Sequence, residues 1–264
     1  MIKLENTETF GWEAAIRGMR NPMNSWDKSD SIFNIEFNNG EFEELNEYWG
    51  VGLTLNGNVV GTDSSSSMDI GPNDHDLMLR LAKAGSVDAK YRRMIVVTVD
   101  ITAPLYWWKE FDTYKVGTVA NSCSTMHKIH SKEFTLEDFS CEHLLLTTDA
   151  SSQNIDVPYI PVDQAETVRT SPNGLMNVII SMLNECRSLY LETKDKRYWW
   201  QMIQLLPSSY NQRRTVMLNY EVLAGIYPKR KDHKLDEWHD FCDWIKTLPY
   251  SEIITLEENK EDEE

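Results

Sequence analysis

The first sixty residues alternate between strand-like and helix-like hydrophobic patterns. The opening stretch MIKLENTETF alternates apolar and polar residues as a strand does, and further strands are predicted over Ile32–Phe37 and Val51–Val60. Gly11–Arg20 has the spacing of a helix. Its apolar side consists of Trp12, Ala15, Ile16 and Met19.

Turn signals and a second helix follow. Asn39-Gly40 and Asn56-Gly57 are tight-turn dipeptides that indicate one or two hairpins, and Ser64–Ser67 is predicted as a flexible loop. Asp74 is predicted to cap a helix that ends at Gly85. The apolar stripe of this helix consists of Leu77, Leu81 and Ala84.

A buried strand and several helices are predicted from there on. Arg93–Thr102 alternates, with Ile95, Val97, Val99 and Ile101 on one face, and Pro104 then opens a helix. Ser171-Pro172 forms the cap and first turn of a long helix, and Pro207 closes another. The long helix is predicted to bury Leu175, Val178, Ile179, Met182, Cys186 and Leu189.

The predicted elements define a mixed α/β protein. Two last helices are predicted at about Asn211–Tyr227 and Leu235–Thr247, so strands concentrate early in the chain and helices late. We found no internal repeat and no long linker. Residues 1–250 are therefore predicted to form one domain, followed by an acidic tail over 251–264.

Composition and charge narrow the classes of function. A hydrophobic content of 41% with nine tryptophans indicates a folded protein. No apolar run approaches the roughly 20 residues of a membrane helix and no export signal is visible, which predicts a cytoplasmic protein with reduced cysteines and no membrane partner. The net charge of -16 disfavours binding to nucleic acid polymers. A small anionic ligand needs only local cations, which cluster at Lys90–Arg93, Arg213–Arg214 and Lys229–Lys231.

The segment from Pro104 to Ser131 has the most unusual mixture of side chains. It combines tryptophans, tyrosines, lysines, a run of small hydroxyl residues and histidines, which suits a pocket that stacks a planar group and holds a phosphate. The pairs Trp107-Trp108 and Trp199-Trp200 fit a core better than a ligand platform, because adjacent helical side chains point about 100° apart. The hydroxyl run from Ser122 is also compatible with a polar turn.

The sequence gives less support for a metal site, a nucleophilic cysteine or a glycine-rich nucleotide-binding loop. Possible zinc ligands are Cys123, His127, His130, Cys141 and His143. They lack the paired spacing of a zinc knuckle, so no metal site is predicted. Cys123 is the candidate for a nucleophilic thiol, four residues before His127. No GxGxxG, GKS or GKT motif occurs, so side chains must hold any nucleotide. Arg230, within Tyr-Pro-Lys-Arg-Lys-Asp-His, belongs either to a surface charge run or to a phosphate site.

In their order these pieces resemble the flavin-dependent thymidylate synthase (ThyX) family. LMLRLAKAGSVDAKYRRMIVVTVDI at 77–101 resembles the helix, glycine-containing turn and strand that lead to the family's flavin motif. Tyr106–Lys109 corresponds to its aromatic helix, and Asn121–Ser124 resembles its Asn-Glu-x-Ser. The most specific block consists of Leu206–Tyr210, Asn219, Leu223, Arg230, His233 and Trp238.

The chain departs from the family at the flavin motif itself. Arg-His-Arg is matched by Lys109-Glu110-Phe111 from the aromatic context, or by Tyr114-Lys115-Val116 from the spacing to Ser124, and either keeps one cation. Ser122 stands where the family has glutamate, and Thr125–His127 where it has x-Arg-Tyr.

The resemblance implies an α/β (α+β) fold like that of the thymidylate synthase-complementing proteins, with an antiparallel sheet early in the chain and helices packed against it. It implies methylation of dUMP or a related pyrimidine nucleotide at C5, with FAD as cofactor, methylenetetrahydrofolate and NADPH as co-substrates, and a homotetramer. Ser124 and Arg230 would be catalytic, and Lys109, Lys115 and Asn121 would bind the cofactor. Substrate-binding residues would be Ser122, Ser124, Arg213, Arg214 and Arg230.

The missing arginines leave a second function open. One buried guanidinium can stabilise charge on the pyrimidine, but each charge-assisted hydrogen bond that is lost is worth about 1.5–3 kcal/mol. The alternative is a non-catalytic protein of the same fold, which binds a nucleotide or a protein partner and has lost flavin chemistry.

Overall fold

A computed structural model describes residues 2–37, 54–55, 58–59, 64–145, 155–159 and 166–256. The strands are β1 (Lys3–Phe10), β2 (Ile32–Phe37), β3 (Thr54–Leu55), β4 (Asn58–Val59), β5 (Ser64–Asp69), β6 (Val96–Pro104), β7 (Val119–Ser122), β8 (Ile155–Tyr159), β9 (Glu166–Thr170) and β10 (Asn211–Asn219). The α-helices are α1 (Trp12–Arg20), α2 (Pro72–Ala84), α3 (Leu105–Phe111), α4 (Thr125–Lys128), α5 (Pro172–Thr193), α6 (Lys196–Leu205), α7 (Tyr220–Arg230), α8 (Asp236–Lys246) and α9 (Glu252–Thr255). Within these ranges no helix is long and apolar enough to cross a membrane.

The main sheet has the strand order β1-β6-β10-β7, and each neighbouring pair is antiparallel. β6 and β10 are the inner strands, with Val99 opposite Val216. Alternate side chains of β6 face the core and are at most 1% exposed: Val97, Val99, Ile101 and Ala103. The alternation predicted for Arg93–Thr102 is therefore confirmed, although the strand begins at Val96.

β10 corrects the prediction of a helix over Asn211–Tyr227. Asn211–Asn219 is a strand that pairs with β6 on one side and β7 on the other, and only Tyr220–Arg230 is helical. Its apolar run is so short that it fits the period of a strand or of a helix, and periodicity alone did not separate them. The antiparallel sheet is thus completed by a strand from late in the chain.

One face of the main sheet carries the larger core. Helices α1, α3, α7, α8 and α9 contribute buried side chains to it. Trp107 lies at its centre, with its ring 5.0 Å from that of Phe111 and 4.8 Å from that of Trp238. Burial of each such side chain contributes about 1.5–3 kcal/mol, so α3 is fixed as part of the core. The predicted core position of Trp107-Trp108 is confirmed, as is the predicted apolar side of α1.

A second core lies between α5, α6 and the segment 129–139. Its buried members are Ile129, Phe134, Phe139, Met176, Leu183, Cys186 and Met202. Ser171 caps α5 as predicted, since its hydroxyl accepts a hydrogen bond from the backbone N–H of Gly174 at 3.0 Å. This core positions the chain that follows β7.

The buried stripe predicted for α5 is corrected in part. Cys186 is buried, but Leu175, Val178 and Met182 are 43%, 59% and 50% exposed. The side of the helix next to the predicted stripe packs against α6 instead. With Leu191, which is 37% exposed, four apolar side chains of α5 therefore stay uncovered in the described part of the chain.

Predictions between 51 and 67 are also corrected. Ser64–Ser67 is not a loop, because the backbone of β5 pairs with β2. Ladder hydrogen bonds use backbone groups, so a serine run pairs as well as another sequence does. Val51–Val60 is not one strand: β3 pairs with β4 around positions 56–57, in agreement with a hairpin there. The turn residues Asn56-Gly57 and Asn39-Gly40 lie outside the described residues.

α2 and the C-terminal end differ from prediction in detail. α2 ends at Gly85 as predicted but begins at Pro72, so Asp74 lies within its first turn rather than at its cap. The buried side chains of α2 include Met78 and Ala82 instead of Leu77 and Leu81, which are half-buried. Ile253 and Ile254, which the sequence assigns to the acidic tail, are buried in the larger core.

Candidate functional site

One cleft, here called the hydroxyl cleft, lies beside the C-terminal end of β7. It has a volume of about 440 Å³. Its polar lining includes Thr102, Ser124, Thr125, Lys128, Ser131 and Arg213. Ser124 caps the short helix α4, because its hydroxyl accepts the N–H of His127 at 3.4 Å. The structure thus brings two of the predicted substrate-binding residues, Ser124 and Arg213, to one cleft.

Carboxylates neutralise most cations of the hydroxyl cleft. Arg213 donates to Asp100 at 2.8 Å, and Lys132 is paired with Asp138. Hydrogen bonds from Thr215, Asn6 and Arg213 hold the pKa of Asp100 well below its usual range, so this carboxylate stays charged. Lys128 is exposed and has no ion-pair partner among the residues that the structure describes.

The second cleft, here called the basic cleft, lies between the turn after α3 and the outer side of α7. Its volume is about 550 Å³, and its lining includes Arg93, Lys115, Asn219, Glu221 and Lys229. Its three cations have no ion-pair partner within the described ranges. Glu221, the carboxylate of the lining, forms an ion pair with Arg92 at 2.8 Å and so does not neutralise these cations. The basic cleft therefore carries uncompensated positive charge.

Local backbone chemistry explains the shape of the basic cleft. The Asn219 side chain caps α7 by accepting the N–H of Val222 at 3.0 Å, which fixes the start of the helix beside the cleft. Gly117 has φ +78°, and a Cβ atom there would meet Val222 at 3.0 Å. The turn after α3 can therefore approach α7 closely only with glycine at this position.

Arg230 lies at the end of α7, inside an aromatic cluster. Its guanidinium is 4.4 Å from the centre of the Trp238 ring, and its Nε donates to the hydroxyl of Tyr114 at 2.9 Å. Its Nη1 lies 2.5 Å from Oε2 of Glu110. Tyr114 also lines the basic cleft, so Arg230 adjoins that cleft through the tyrosine.

The remaining predicted site residues lie apart from both clefts. Arg214 faces the core side of β10, 2.7 Å from Asp112 and stacked 4.1 Å over the Trp108 ring. Lys109 is exposed on α3. Asn121 and Ser122 are exposed on β7 and line neither cleft. The structure therefore does not gather all the predicted residues in one place.

Sequence reasoning did not assign Arg93 and Lys229 to the site. Both belong to basic clusters that are visible in the sequence, Lys90–Arg93 and Lys229–Lys231. Only the fold shows that two of these clusters meet beside Lys115.

Metal ligation and thiol chemistry have little geometric basis. In the part of the chain that the structure describes, no three His, Cys, Asp or Glu side chains converge as metal ligands do. Cys123 is an exposed free thiol in the lining of the hydroxyl cleft. Burial raises the pKa of the Cys242 thiol to about 11, which keeps that thiol protonated.

Comparison with solved structures identifies the fold, whereas neither known protein families nor curated proteins gave a match to this chain. The chain has the fold seen in solved structures of a flavin-dependent thymidylate synthase and of a UMP/dUMP methylase. Thymidylate Synthase X (ThyX) from Helicobacter pylori, solved with FAD and dUMP, is 12% identical with a TM-score of 0.57, over 97% of this chain and 98% of that chain. The UMP/dUMP methylase PolB from Streptomyces cacaoi, bound with 5-Br dUMP, is 13% identical with a TM-score of 0.52, over 97% and 94%. The predicted fold is thereby confirmed.

Proposed function

We propose that the chain is a divergent flavin-dependent thymidylate synthase-like enzyme that methylates dUMP, or a related pyrimidine nucleotide, at C5. The observation that carries the proposal is the basic cleft, where cations without ion-pair partners among the described residues converge in a chain of net charge -16. Such local positive charge attracts a small anion such as a phosphate group. The fold supports a nucleotide in particular, because ThyX was solved with FAD and dUMP and PolB with 5-Br dUMP.

The basic cleft fits FAD. Its cations suit a diphosphate, and its volume of about 550 Å³ lies within the range of about 300–1,000 Å³ found for cofactor sites. The apolar side chains of Val116 and Val222, with open space at Gly225, suit a planar ring. Reduced FAD would supply the hydride that completes a methyl group, with methylenetetrahydrofolate as one-carbon donor and NADPH as source of electrons. Lys115 would hold the cofactor.

The hydroxyl cleft suits the monophosphate of the nucleotide. Lys128 would supply positive charge, and the Ser124 hydroxyl can donate a hydrogen bond to a phosphate oxygen. Arg213 is held by Asp100 and would act through its remaining N–H groups. Arg230 adjoins the basic cleft and not the hydroxyl cleft, so it would stabilise negative charge on the pyrimidine ring of a nucleotide whose phosphate lies in the hydroxyl cleft of another copy of the chain in the proposed tetramer.

Lys115→Ala is expected to weaken FAD binding about tenfold or more, because a charge-assisted hydrogen bond is worth about 1.5–3 kcal/mol. The measurement is a titration with FAD, followed by the visible flavin bands and their shift when dUMP is added. Lys109→Ala separates the two alignments of the flavin motif: Lys109 lies outside the basic cleft, so we expect FAD binding like that of the unchanged chain. A protein that is colourless after incubation with saturating FAD and removal of the unbound FAD, and that binds no dUMP, would refute the proposal.

A second function is favoured by the surroundings of Arg230. In the free chain Glu110 and Tyr114 both engage its guanidinium. An arginine neutralised in this way suits a non-catalytic protein that binds a nucleotide without flavin chemistry. A chain that binds dUMP in calorimetry, takes up no FAD and forms no methylated product would support this second function over the first.

We further propose that the chain assembles as a homotetramer. The exposed apolar side chains of α5 support self-association, because uncovered apolar patches mark interaction surfaces. Val178→Glu is expected to reduce the mass measured by light scattering, since a charge cannot be buried in an apolar interface. Asn177→Glu, exposed on another side of the same helix, is expected to leave the mass unchanged. An unchanged chain with the mass of a monomer would contradict the proposal.

A further inference from the structure

Three side-chain donors converge on one carboxylate oxygen of Glu110, near the end of α3. Oε2 of Glu110 lies 2.5 Å from Nη1 of Arg230, 3.2 Å from Nε1 of Trp238 and 3.4 Å from Nε2 of His233. Nδ1 of His233 accepts the backbone N–H of Leu235 at 3.2 Å, so the neutral ring carries its proton on Nε2, towards the carboxylate. Two N–H groups therefore donate to the same oxygen, and the Nε2 atom of His233 lies close to it.

These donors are held in place by contacts other than Glu110. Trp238 is 0% exposed and packs against Trp107 at 4.8 Å between ring centres. Arg230 stacks on Trp238 and donates to Tyr114. The Glu110 side chain is 36% exposed and that of Arg230 only 15%. The carboxylate thus reaches in from solvent, and it can swing out while the donors stay where they are.

We propose that Arg230, Trp238 and His233 form a binding site for a ligand oxygen, and that Glu110 fills this site when no ligand is bound. Preorganised N–H donors around one point stabilise an anionic or carbonyl oxygen. A buried indole N–H usually has an acceptor, so an incoming oxygen takes over the role of the carboxylate. The ligand class is a molecule with a ring carbonyl or a carboxylate oxygen. Its assignment to the pyrimidine ring of the nucleotide rests on the proposed function.

Glu110→Ala tests the oxygen site without a nucleotide. The variant leaves the three donors facing a space that formate can fill. When sodium chloride is replaced by sodium formate at constant ionic strength, its melting temperature is expected to rise by about 2–4 °C, as one restored interaction does in a chain of this size. The unchanged chain and Glu110→Gln, whose side chains keep an acceptor in the site, are expected to show no such rise.

A surface carboxylate provides the matched control. Glu13→Ala removes an exposed glutamate that lies 3.4 Å from Arg17, so it also breaks a Glu–Arg pair, but no second donor among the described residues bonds to Glu13. It is expected to melt at the same temperature in formate and in chloride. Equal melting temperatures of Glu110→Ala in the two salts would overturn the oxygen site.

Calorimetry with dUMP then tests the assignment to the nucleotide. Glu110→Ala is expected to bind dUMP about tenfold more tightly than the unchanged chain, because no carboxylate has to leave a charge-assisted hydrogen bond. Adding Trp238→Phe, which keeps an aromatic ring but removes the N–H, is expected to reduce that gain. If formate raises the melting temperature but dUMP does not bind, the oxygen site is supported and its assignment to a nucleotide is refuted. Weaker dUMP binding by Glu110→Ala would overturn the displacement, since Glu110 would then position Arg230 for the ligand.

Discussion

Asp74→Asn is expected to lower the free energy of unfolding by about 3–5 kcal/mol, because it removes the charged partner of a buried arginine. Asp74 is 0% exposed, and Nε of Arg20, 4% exposed, donates to it at 2.6 Å. The hydroxyls of Ser29 and Ser31 each donate to its second oxygen at 2.7 Å. These bonds join α1, the chain before β2 and the first turn of α2. Without the charge, Arg20 would be left buried and uncompensated.

The same contacts make the free energy that Asp74 contributes to folding depend on pH. Burial by itself raises the pKa of Asp74, but hydrogen bonds from Ser31, Ser29 and Arg20 outweigh it, so the pKa in the folded chain is lowered. A group whose pKa is lower in the folded state stabilises the fold above its unfolded value, about 3.9 for Asp. The stabilisation is lost as the pH falls through the folded value.

Urea denaturation at a series of pH values measures both the loss of stability in Asp74→Asn and its dependence on pH. The unchanged chain and Asp74→Asn are expected to differ most near pH 7 and to converge as the solution is acidified below about pH 4. Asp76→Asn is the matched control on the same helix, since Asp76 is 66% exposed and lies 2.8 Å from Arg80. Exposed pairs contribute about 0.2–1 kcal/mol, so the control is expected to unfold nearly like the unchanged chain. A difference for Asp74→Asn as small as that of the control would contradict the buried pair.

Asp74 also illustrates how far the sequence determines the fold. Its residue type and its position before an apolar stripe favoured a helix cap, which is a local interpretation. Its actual partner, Arg20, is 54 residues away in the chain, and no local pattern encodes that contact. β6 was predicted correctly because alternation over nine residues is itself local. β10 was not, because pairing on both sides overrode an ambiguous short run.

In the candidate site, too, local features were predicted and long-range contacts were not. The sequence predicted cations and hydroxyls around 104–131 and the importance of the cluster at Arg230, since both are visible as composition. It did not predict that Lys115 meets Arg93 and Lys229 in one cleft. Nor did it predict that Arg214, next to Arg213, faces the opposite side of the sheet, which follows only once Asn211–Asn219 is known to be a strand. The types of residue in the site could be predicted from the sequence. Which of them lie together could not, because that depends on pairing between strands that are distant in the chain.

Arg230→Ala is expected to weaken dUMP binding about 10- to 100-fold, measured by calorimetry, because it removes a charge-assisted donor and leaves Glu110 as an unpaired negative charge beside the ligand. Arg230→Lys keeps the charge but loses the planar fork and the stacking on Trp238, so an intermediate affinity is expected. An unchanged affinity for Arg230→Ala would mean that Arg230 holds the aromatic cluster together and does not bind the ligand.

A double-mutant cycle joins this prediction to the oxygen site. If Glu110 and the ligand compete for Arg230, Glu110→Ala tightens dUMP binding more when Arg230 is present than when it is absent. The gain in dUMP affinity from Arg230→Ala to the double variant Glu110→Ala, Arg230→Ala is then expected to be smaller than the gain from the unchanged chain to Glu110→Ala, so the two changes are not additive. Additive effects would mean that Glu110 and Arg230 act on the ligand independently. Since both side chains lie on core elements, α3 and α7, far-UV circular dichroism of each variant establishes that affinity, and not folding, has changed.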